Sequence, residues 1–164
     1  MHDTLSISPI GLSNVIEGQF SIQLALEHPE GLVGLTDFSH AIALWWAHEA
    51  DSEEQRKRTT ITAPYTANNS DFGVFATRSE ARPNPVGMTV FSIASVDAPA
   101  GRVISHYFDM LPNTPIMDIK PYFAASDRVM EAQIPDHFSQ WPTSLEKSAT
   151  FDWEKEFRHE LPQS

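Results

Sequence analysis

The sequence predicts a mostly β fold, a small barrel or closed sheet built from a single β-sheet. Short runs rich in β-branched and aromatic residues follow one another closely, and turn signals such as residues 97–101 (DAPAG) separate them. No Gly-x-Gly-x-x-Gly fingerprint and no Walker loop occurs, so a dinucleotide-binding βαβ layer is not indicated. With 164 residues, the chain suits one domain around one core.

Six segments are expected to form strands. Residues 21–26 (SIQLAL) alternate polar and apolar side chains, as a strand with one apolar face does. Residues 41–50 (AIALWWAHEA) hold an apolar run that is too short to cross a membrane; its bulky Trp45 and Trp46 favour a strand buried on both faces, with a helix as the alternative. The remaining strand-like segments are residues 71–77, 87–96, 102–108 and 115–120.

The connections and the C-terminal segment have a different character. Residues 51–60 (DSEEQRKRTT) are charged without apolar periodicity, which indicates an exposed loop or one solvated helical turn. Trp153, Phe157 and Leu161 recur four residues apart and predict a short C-terminal helix with one apolar stripe. We therefore divide the chain into a barrel domain, residues 1–135, and a partly helical extension, residues 136–164, that packs on the barrel.

Charge and composition limit the classes of partner. Eleven basic and 22 acidic side chains give a net charge of −11, which repels polyphosphate, so DNA is not an expected partner and tRNA is disfavoured. The absence of cysteine removes disulfides and thiolate chemistry and fits a reducing compartment. Without a signal-peptide pattern or a run of about 18 apolar residues, the sequence reads as a soluble cytoplasmic protein.

Residues 76–89 (ATRSEARPNPVGMT), the arginine loop, are the most unusual stretch of this acidic chain. Pro83 and Pro85 fix φ and stiffen the loop. A stiff loop between strands can aim Arg78 or Arg82 at a carboxylate or a phosphate. From the residues alone, a proline-rich turn whose arginines pair with surface acids is the slightly favoured alternative.

A second cluster joins an acid to aromatic rings at residues 106–109 (HYFD). A carboxylate beside ring faces suits a cationic or sulfonium group, so Asp109 is a candidate contact; the alternative is that it caps a turn. Asp118 lies between apolar residues, and for it we expect a buried structural pair with Lys120 or an arginine.

The histidines do not predict a metal site. On one strand, His40 and His48 would lie about 25 Å apart, too far to share an ion. Residues 48–51 are instead interpreted as the end of a strand that opens into a ligand-accessible loop. No Gly-x-Ser-x-Gly or His-Glu-x-x-His motif supports a hydrolase.

Three blocks of the sequence resemble the TsaA-like family, also called the YaeB or TrmO family. Residues 73–89 are similar to its signature G-V-F-A-T-R-S-x-x-R-P-N-P-I-G-[LM]-[ST], with Val86 in place of Ile. Residues 34–48 (GLTDFSHAIALWWAH) resemble its G-L-E-x-F-S-H block and the apolar strand that follows. Residues 108–122 (FDMLPNTPIMDIKPY) resemble its L-D-L-x-D-G-T-P-V-x-D-I-K-P-Y.

The resemblance implies a small β-barrel that binds S-adenosylmethionine, generally as a homodimer. The best characterised members are tRNA methyltransferases that act on N6 of threonylcarbamoyladenosine beside the anticodon. The positions carried over to the cofactor site are Glu49, Ala50, Arg78, Met88, His106, Tyr107, Phe108 and Asp109. Further matching positions, assigned to substrate or to supporting contacts, are Arg82, Asn84, Asp118, Lys120 and Tyr122.

The cofactor's chemistry fits these residue types. Its sulfonium suits Asp109 and the neighbouring rings, its carboxylate suits Arg78, and its adenine suits an apolar slot formed by Met88 or Phe108. Methyl transfer gains most from alignment of the two reactants, so a general base is not required; His106 is the candidate if one is used.

Three departures separate the chain from the family pattern. The usual Pro-, Arg- and Gln-rich stretch between the first two strands is missing, which predicts a more open pocket on that side. Asn113 replaces a glycine that can take positive φ, a mild change. The separate C-terminal domain of the longer tRNA enzymes is not matched, so a small molecule is considered as a methyl acceptor in addition to tRNA.

Two hypotheses from other classes stay open at this stage. In the first, the barrel binds S-adenosylmethionine or an adenine nucleotide as a sensor without catalysis. In the second, the arginine loop is scaffolding at a dimer interface.

Overall fold

The protein folds around a closed barrel of six antiparallel strands. The computed structural model describes residues 6–16, 18–25 and 29–158. The strands in chain order are β1 Gly11–Ile16, β2 Gln19–Leu24, β3 His40–Trp46, β4 Thr60–Ile61, β5 Phe72–Gly73, β6 Val86–Asp97, β7 Arg102–Ser105 and β8 Pro115–Pro121. The order around the barrel is β1-β2-β7-β6-β3-β8, while β4 and β5 form a separate two-stranded sheet. The predicted mostly β barrel is confirmed.

The described helices are single turns. They are α1 Glu53–Arg56, α2 Ala124–Asp127 and α3 Leu145–Ser148, together with several 3₁₀ turns. Within residues 51–60, α1 is the predicted solvated turn, and the Ser52 hydroxyl caps it by accepting from the Gln55 amide at 3.2 Å. No helix in the described ranges is long and apolar enough to cross a membrane.

The barrel interior is filled by inward-facing aliphatic and aromatic side chains. Ile22, Phe91, Val103 and Ile116, from four different strands, are each at most 2% exposed. They belong to one continuous apolar cluster, the barrel core. Burial of this cluster supplies the main driving force for the fold.

The strand β3 was predicted correctly, but its burial on both faces was not. Its side chains alternate between buried and half-buried, with Ala41, Ala43 and Trp45 inside. In a barrel only one face of each strand reaches the interior, which explains the alternation. The Trp45 indole lies directly over Gly87, its partner on β6, where an added Cβ would come within 2.1 Å of the ring. Glycine at 87 is therefore a packing requirement.

The barrel closes where β1 pairs with β8, and the turn before β8 is hydrogen-bonded to β1. Gly11 pairs with Ile116, and the buried Ser13 hydroxyl donates to the Leu111 carbonyl at 2.5 Å. The same hydroxyl accepts from the Thr114 amide at 2.9 Å. In this turn Asn113 has φ +64°, which confirms that asparagine adopts the glycine-like conformation expected at this position.

The hairpin of β1 and β2 is direct, as the missing stretch in the sequence indicated. Ile16 pairs with Gln19, and Gly18 has φ +78° in the turn between them. Two residues therefore stand where the family pattern has a longer segment.

Two predicted strands are shorter than expected. Residues 71–77 form only the two-residue β5 and a 3₁₀ turn, Val74–Ala76, because the Thr77 amide and hydroxyl both bond the Val74 carbonyl, at 3.2 and 3.0 Å. The strand over residues 102–108 ends at Ser105, whose hydroxyl accepts from the Tyr107 amide and donates to the Tyr107 carbonyl. Local side-chain bonds end both strands.

Residues 136–158 form an aromatic cluster with residues 64–72. Its members are Tyr65, Phe72, Phe138, Trp141, Trp153 and Phe157. The predicted helix through Trp153 and Phe157 is wrong in the described residues, where the chain makes a 3₁₀ turn, Trp153–Lys155, and then bridges Phe157 to Tyr65. Aromatic packing across this bridge replaces a helical stripe. Leu161 lies outside the described residues.

Candidate functional site

The end of β3 and the arginine loop lie side by side. Trp46 pairs with Val86, and the Ala47 amide then donates to the Pro85 carbonyl at 2.8 Å. The chain turns at once into the 3₁₀ turn His48–Ala50, which carries the predicted cofactor residues Glu49 and Ala50. Glu49 is exposed, whereas Ala50 packs against the barrel core. The strand thus ends at Trp46, two residues before His48, so residues 48–51 belong to the turn that follows the strand and not to its end as predicted.

Glu80 in the arginine loop links three of the predicted segments electrostatically. Partial burial raises the pKa of its carboxyl, and the negative charges of Asp109 and Glu49 raise that pKa further; His48 acts in the opposite direction. Asp109, with burial as the larger cause, also raises the pKa of Tyr107. The turn after β3, the arginine loop and the segment after β7 thus face one another, as an acid-rich surface.

The two arginines of the loop do not pair with carboxylates among the described residues. Arg78 is exposed, and its Nη1 donates to the Met88 carbonyl at 3.5 Å. The half-buried Arg82 donates to the Thr77 and Ser79 carbonyls, both at 3.4 Å. The alternative of a turn held by ion pairs to surface acids is therefore wrong. Arg82 braces the loop through Nη1 alone, and the more exposed Arg78 makes one long bond.

The predicted apolar and aromatic contacts divide between the surface and the core. Met88 is 44% exposed on the outer face of β6, and Tyr107 is 63% exposed with its ring edge-on to Phe20, 5.3 Å between centroids. Phe108 is 2% exposed, because its ring packs between Phe20 and Phe91 in the barrel core. A contact from Phe108 to a ligand would therefore fall to its backbone. His106 is exposed immediately after β7.

The matching residues on β8 and directly after it contact each other or His40. Asp118 pairs with Lys120 at 2.6 Å with side chains 44% and 60% exposed, so the predicted buried pair is wrong: the partner is right, but the pair faces solvent. The Tyr122 ring lies edge-on to His40, 6.4 Å between centroids. In the arginine loop, Asn84 is exposed.

A clasp that the sequence did not reveal holds the turn after β3. Asp51 accepts from the Trp46 indole Nε1 at 2.9 Å, and from Arg56 through two nitrogens. The bonds from Arg56 and Trp46 lower the pKa of Asp51 to about 2. The Arg56 guanidinium also lies over the Trp46 ring, 5.3 Å from its centroid. Residues five apart carry no periodic signal, which is why the clasp escapes a pattern search.

Glu80 was also missed, because it occupies a variable position of the signature. Replacing Glu80 by Gln is expected to stabilise the protein slightly at neutral pH, because partial desolvation and the charges of Asp109 and Glu49 oppose ionisation of this carboxyl; since the side chain is solvent-exposed, screening keeps the effect small. A raised folded-state pKa means that the variant's advantage is absent below the unfolded-state pKa of about 4 and appears as pH rises through the folded-state value. Denaturant unfolding of the wild type and of Glu80→Gln between about pH 3 and 8, a range that spans the unfolded-state pKa of a glutamate, measures the difference in their free energies of unfolding.

Glu30→Gln, in the 3₁₀ turn Pro29–Leu32, is the matched control. An equal pH profile for the two glutamine variants would contradict the electrostatic contact between Glu80 and its acidic neighbours.

Two surface cavities lie away from this surface. One of about 330 Å³ is lined by β1, β2 and Asn113, and one of about 210 Å³ lies between residues 31–38 and the end of β8. Neither contains a predicted cofactor residue. The carboxylates of the acid-rich surface, Glu49, Glu80 and Asp109, are exposed.

Comparison with known proteins finds one matching family and several similar proteins. The model of the tRNA-methyltransferase O N-terminal domain family matches residues 6–128. The tRNA (adenine(37)-N6)-methyltransferase of Escherichia coli is 30% identical over 148 residues, which cover 89% of this chain and 61% of that protein. A protein of Methanocaldococcus jannaschii, named a probable S-adenosyl-L-methionine-binding protein, is 37% identical over 114 residues, 70% of this chain and 89% of that protein.

Among solved structures, a crystal structure of TrmO from Pseudomonas aeruginosa superposes with a TM-score of 0.63 at 29% identity, covering 83% of this chain and 62% of that one. The chain thus spans about three fifths of the bacterial relatives and most of the archaeal one.

Proposed function

Because this chain belongs to the tRNA-methyltransferase O N-terminal domain family, we propose that it binds S-adenosylmethionine and transfers the cofactor's methyl group to a nitrogen of an adenosine nucleoside. The observation that carries the proposal is the grouping of the carboxylates of Glu80, Asp109 and Glu49, with the accessible Arg78 two residues before Glu80 on the same loop. A zwitterionic ligand with an added sulfonium needs both signs of charge close together.

Each part of the cofactor has a partner of suitable chemistry on this surface. The guanidinium of Arg78 takes the α-carboxylate, and the carboxylates of Asp109 and Glu80 face the cationic groups. The exposed ring of Tyr107 and the side chain of Met88 offer apolar contact to the adenine. Desolvation is the main cause of the raised pKa of Glu80, and a bound cation would relieve the repulsion from Asp109 and Glu49 that adds to it.

The proposed acceptor is N6 of threonylcarbamoyladenosine in tRNA. A related small nucleoside is the alternative acceptor. When bound, the cofactor would supply an electrophilic methyl group, which would pass to N6 as the carbon–sulfur bond breaks and the sulfonium leaves as a neutral thioether. The nitrogen then loses its proton to water or to the exposed His106 imidazole. The E. coli relative, named for methylation of N6 of adenine 37, supports this acceptor.

The protein is further proposed to act as a homodimer in the cytoplasm, where tRNA is found. Leu44 pairs with Met88 and Ile42 with Val90 on the outside of the barrel, and Val86 beside them is 39% exposed. This apolar row on β3 and β6 would be covered by a second copy. Since Met88 belongs to the row, the cofactor surface borders the interface, and the partner copy would close its open side.

Calorimetry with S-adenosylmethionine, followed by transfer of a labelled methyl group to tRNA from a strain lacking the gene, tests the proposal. We expect a dissociation constant in the micromolar range, about −8 kcal/mol, and label in a single modified nucleoside. Absence of both heat and a thermal shift would overturn it. Sedimentation of the same sample measures the dimer.

A second candidate is a sensor that binds the cofactor without transferring its methyl group. The direct β1–β2 hairpin favours it, since a segment that the family pattern places at the cofactor is replaced by two residues. Cofactor binding with an unchanged tRNA nucleoside profile in the deletion strain would select the sensor over the tRNA enzyme.

A further inference from the structure

Phe75 presents its ring to solvent from a rigid turn. Its side chain is 82% exposed, the highest exposure among the large apolar side chains of the described residues. The residues around it are fixed: Val74 is 1% exposed, and its amide donates to the Thr59 carbonyl at 3.0 Å. Because the turn is anchored at Val74, the backbone holds the Phe75 ring toward solvent. Its exposure does not come from a frayed chain end.

A guanidinium is held over one face of that ring, and the other face is open to solvent. The Arg82 carbon Cζ lies 6.0 Å from the Phe75 ring centroid, and two backbone carbonyls of the arginine loop hold its Nη1. No carboxylate neutralises Arg82 within the described ranges. An aromatic face and an uncompensated cation are therefore preorganised on one stretch of chain.

This pair lies beside the proposed cofactor surface. Phe75 precedes Arg78 by three residues, so their Cα atoms are at most about 10 Å apart. Glu80, which faces Asp109 and Glu49, follows Arg78 by two residues. A group held on Phe75 is then within a nucleotide's reach of a methyl donor bound at Arg78.

We propose that Phe75 and Arg82 bind an unpaired nucleotide of the RNA acceptor, Phe75 by stacking on its base and Arg82 by bonding its phosphate. This inference rests on the proposed function, since it gives the same site its acceptor contact. Proteins hold single-stranded RNA mainly through bases stacked on aromatic rings, with arginine on the backbone. The net charge of −11 repels RNA, so a local contact of this kind would be needed for the protein to bind it.

The number of phosphates contacted is small on this geometry. One guanidinium neutralises one phosphate, so the logarithm of the RNA association constant should fall with the logarithm of salt concentration with a slope of about −0.7 from Arg82. Specificity then depends on stacking and on the fit at N6, not on a basic groove.

The test measures binding of an anticodon stem-loop RNA that carries threonylcarbamoyladenosine, by fluorescence anisotropy, beside calorimetry with S-adenosylmethionine. Phe75→Ala should weaken RNA binding about tenfold or more and leave cofactor binding unchanged, and Phe75→Trp should retain RNA binding. Arg82→Gln should reduce the salt slope by about 0.7. Phe123→Ala, which removes another exposed ring, packed edge-on to Phe38, is the matched control.

The inference is overturned if the wild-type protein does not bind this RNA, or if Phe75→Ala and Phe123→Ala bind it equally. It is also overturned if Phe75→Ala changes only the sedimentation of the protein, which would assign the ring to contact with a second copy. The calorimetry decides the proposed cofactor site separately, since Phe75 takes no part in it.

Discussion

Arg78→Ala should weaken S-adenosylmethionine binding by about 1.5–3 kcal/mol, some ten- to 150-fold, because a charged hydrogen bond to the cofactor's carboxylate is lost. Arg78 needs little rearrangement to act, since its described contact is one long bond to the Met88 carbonyl. Isothermal calorimetry measures the change directly. Arg78→Lys should restore only part of the affinity, because a lysine cannot form the two parallel bonds of a guanidinium.

Two comparisons make this result specific. Arg102→Ala removes an arginine that bonds Gln23 at the start of β7 and should leave binding unchanged. S-adenosylhomocysteine keeps the carboxylate but lacks the sulfonium charge, so Arg78→Ala should weaken both ligands equally, whereas Asp109→Asn should weaken S-adenosylmethionine more. Equal affinities of the wild type and Arg78→Ala would remove Arg78 from the cofactor site.

Trp141→Ala should open the aromatic cluster without unfolding the barrel. The Trp141 ring stacks on Phe138 with centroids 4.2 Å apart, and its Nε1 donates to Glu156 at 2.8 Å. Loss of a packed tryptophan costs about 3 kcal/mol. Because the aromatic cluster is separate from the barrel core, this loss should lower the free energy of opening the cluster and not that of unfolding the barrel.

Amide hydrogen exchange is the appropriate measurement. The Thr66 and Arg158 amides, which bond the Glu156 and Pro64 carbonyls at 3.0 and 2.9 Å, should exchange about a hundredfold faster. Barrel amides such as that of Ile93 should keep their rates. Trp141→Phe, which retains a ring, should show a smaller effect. Uniform acceleration across the barrel would mean that the cluster and barrel unfold as one unit.

The barrel could be predicted from the sequence because its strands carry their own signals. The strand β6 is a long run rich in β-branched residues, and the shorter β8 carries Ile116 and Ile119 between turn residues; both were found close to their predicted bounds. Where an expected strand failed, as after β5, a threonine hydroxyl bonded a nearby carbonyl and closed a turn. Such a bond depends on the local geometry, which alternating polarity does not encode.

The candidate site was predicted as segments, and the structure supplied their proximity. The motif match brought in Arg78 and Asp109, but Glu80 became visible only when three loops faced one another. Phe75 belongs to the matched signature, yet nothing in a linear pattern distinguishes an exposed ring from a core one. Phe108 illustrates the converse, since a residue predicted beside a ligand fills the core.

Closure of the barrel also sets when this chain can fold during its synthesis. The strand β1 cannot gain its second partner until β8 has left the ribosome, since Gly11 pairs with Ile116 and Ser13 reaches Leu111. Until then β1 and β3 each present an unpaired edge, the feature from which intermolecular sheets grow. Nascent chains stalled before residue 115 should therefore depend on chaperones, and release from them should coincide with the emergence of β8.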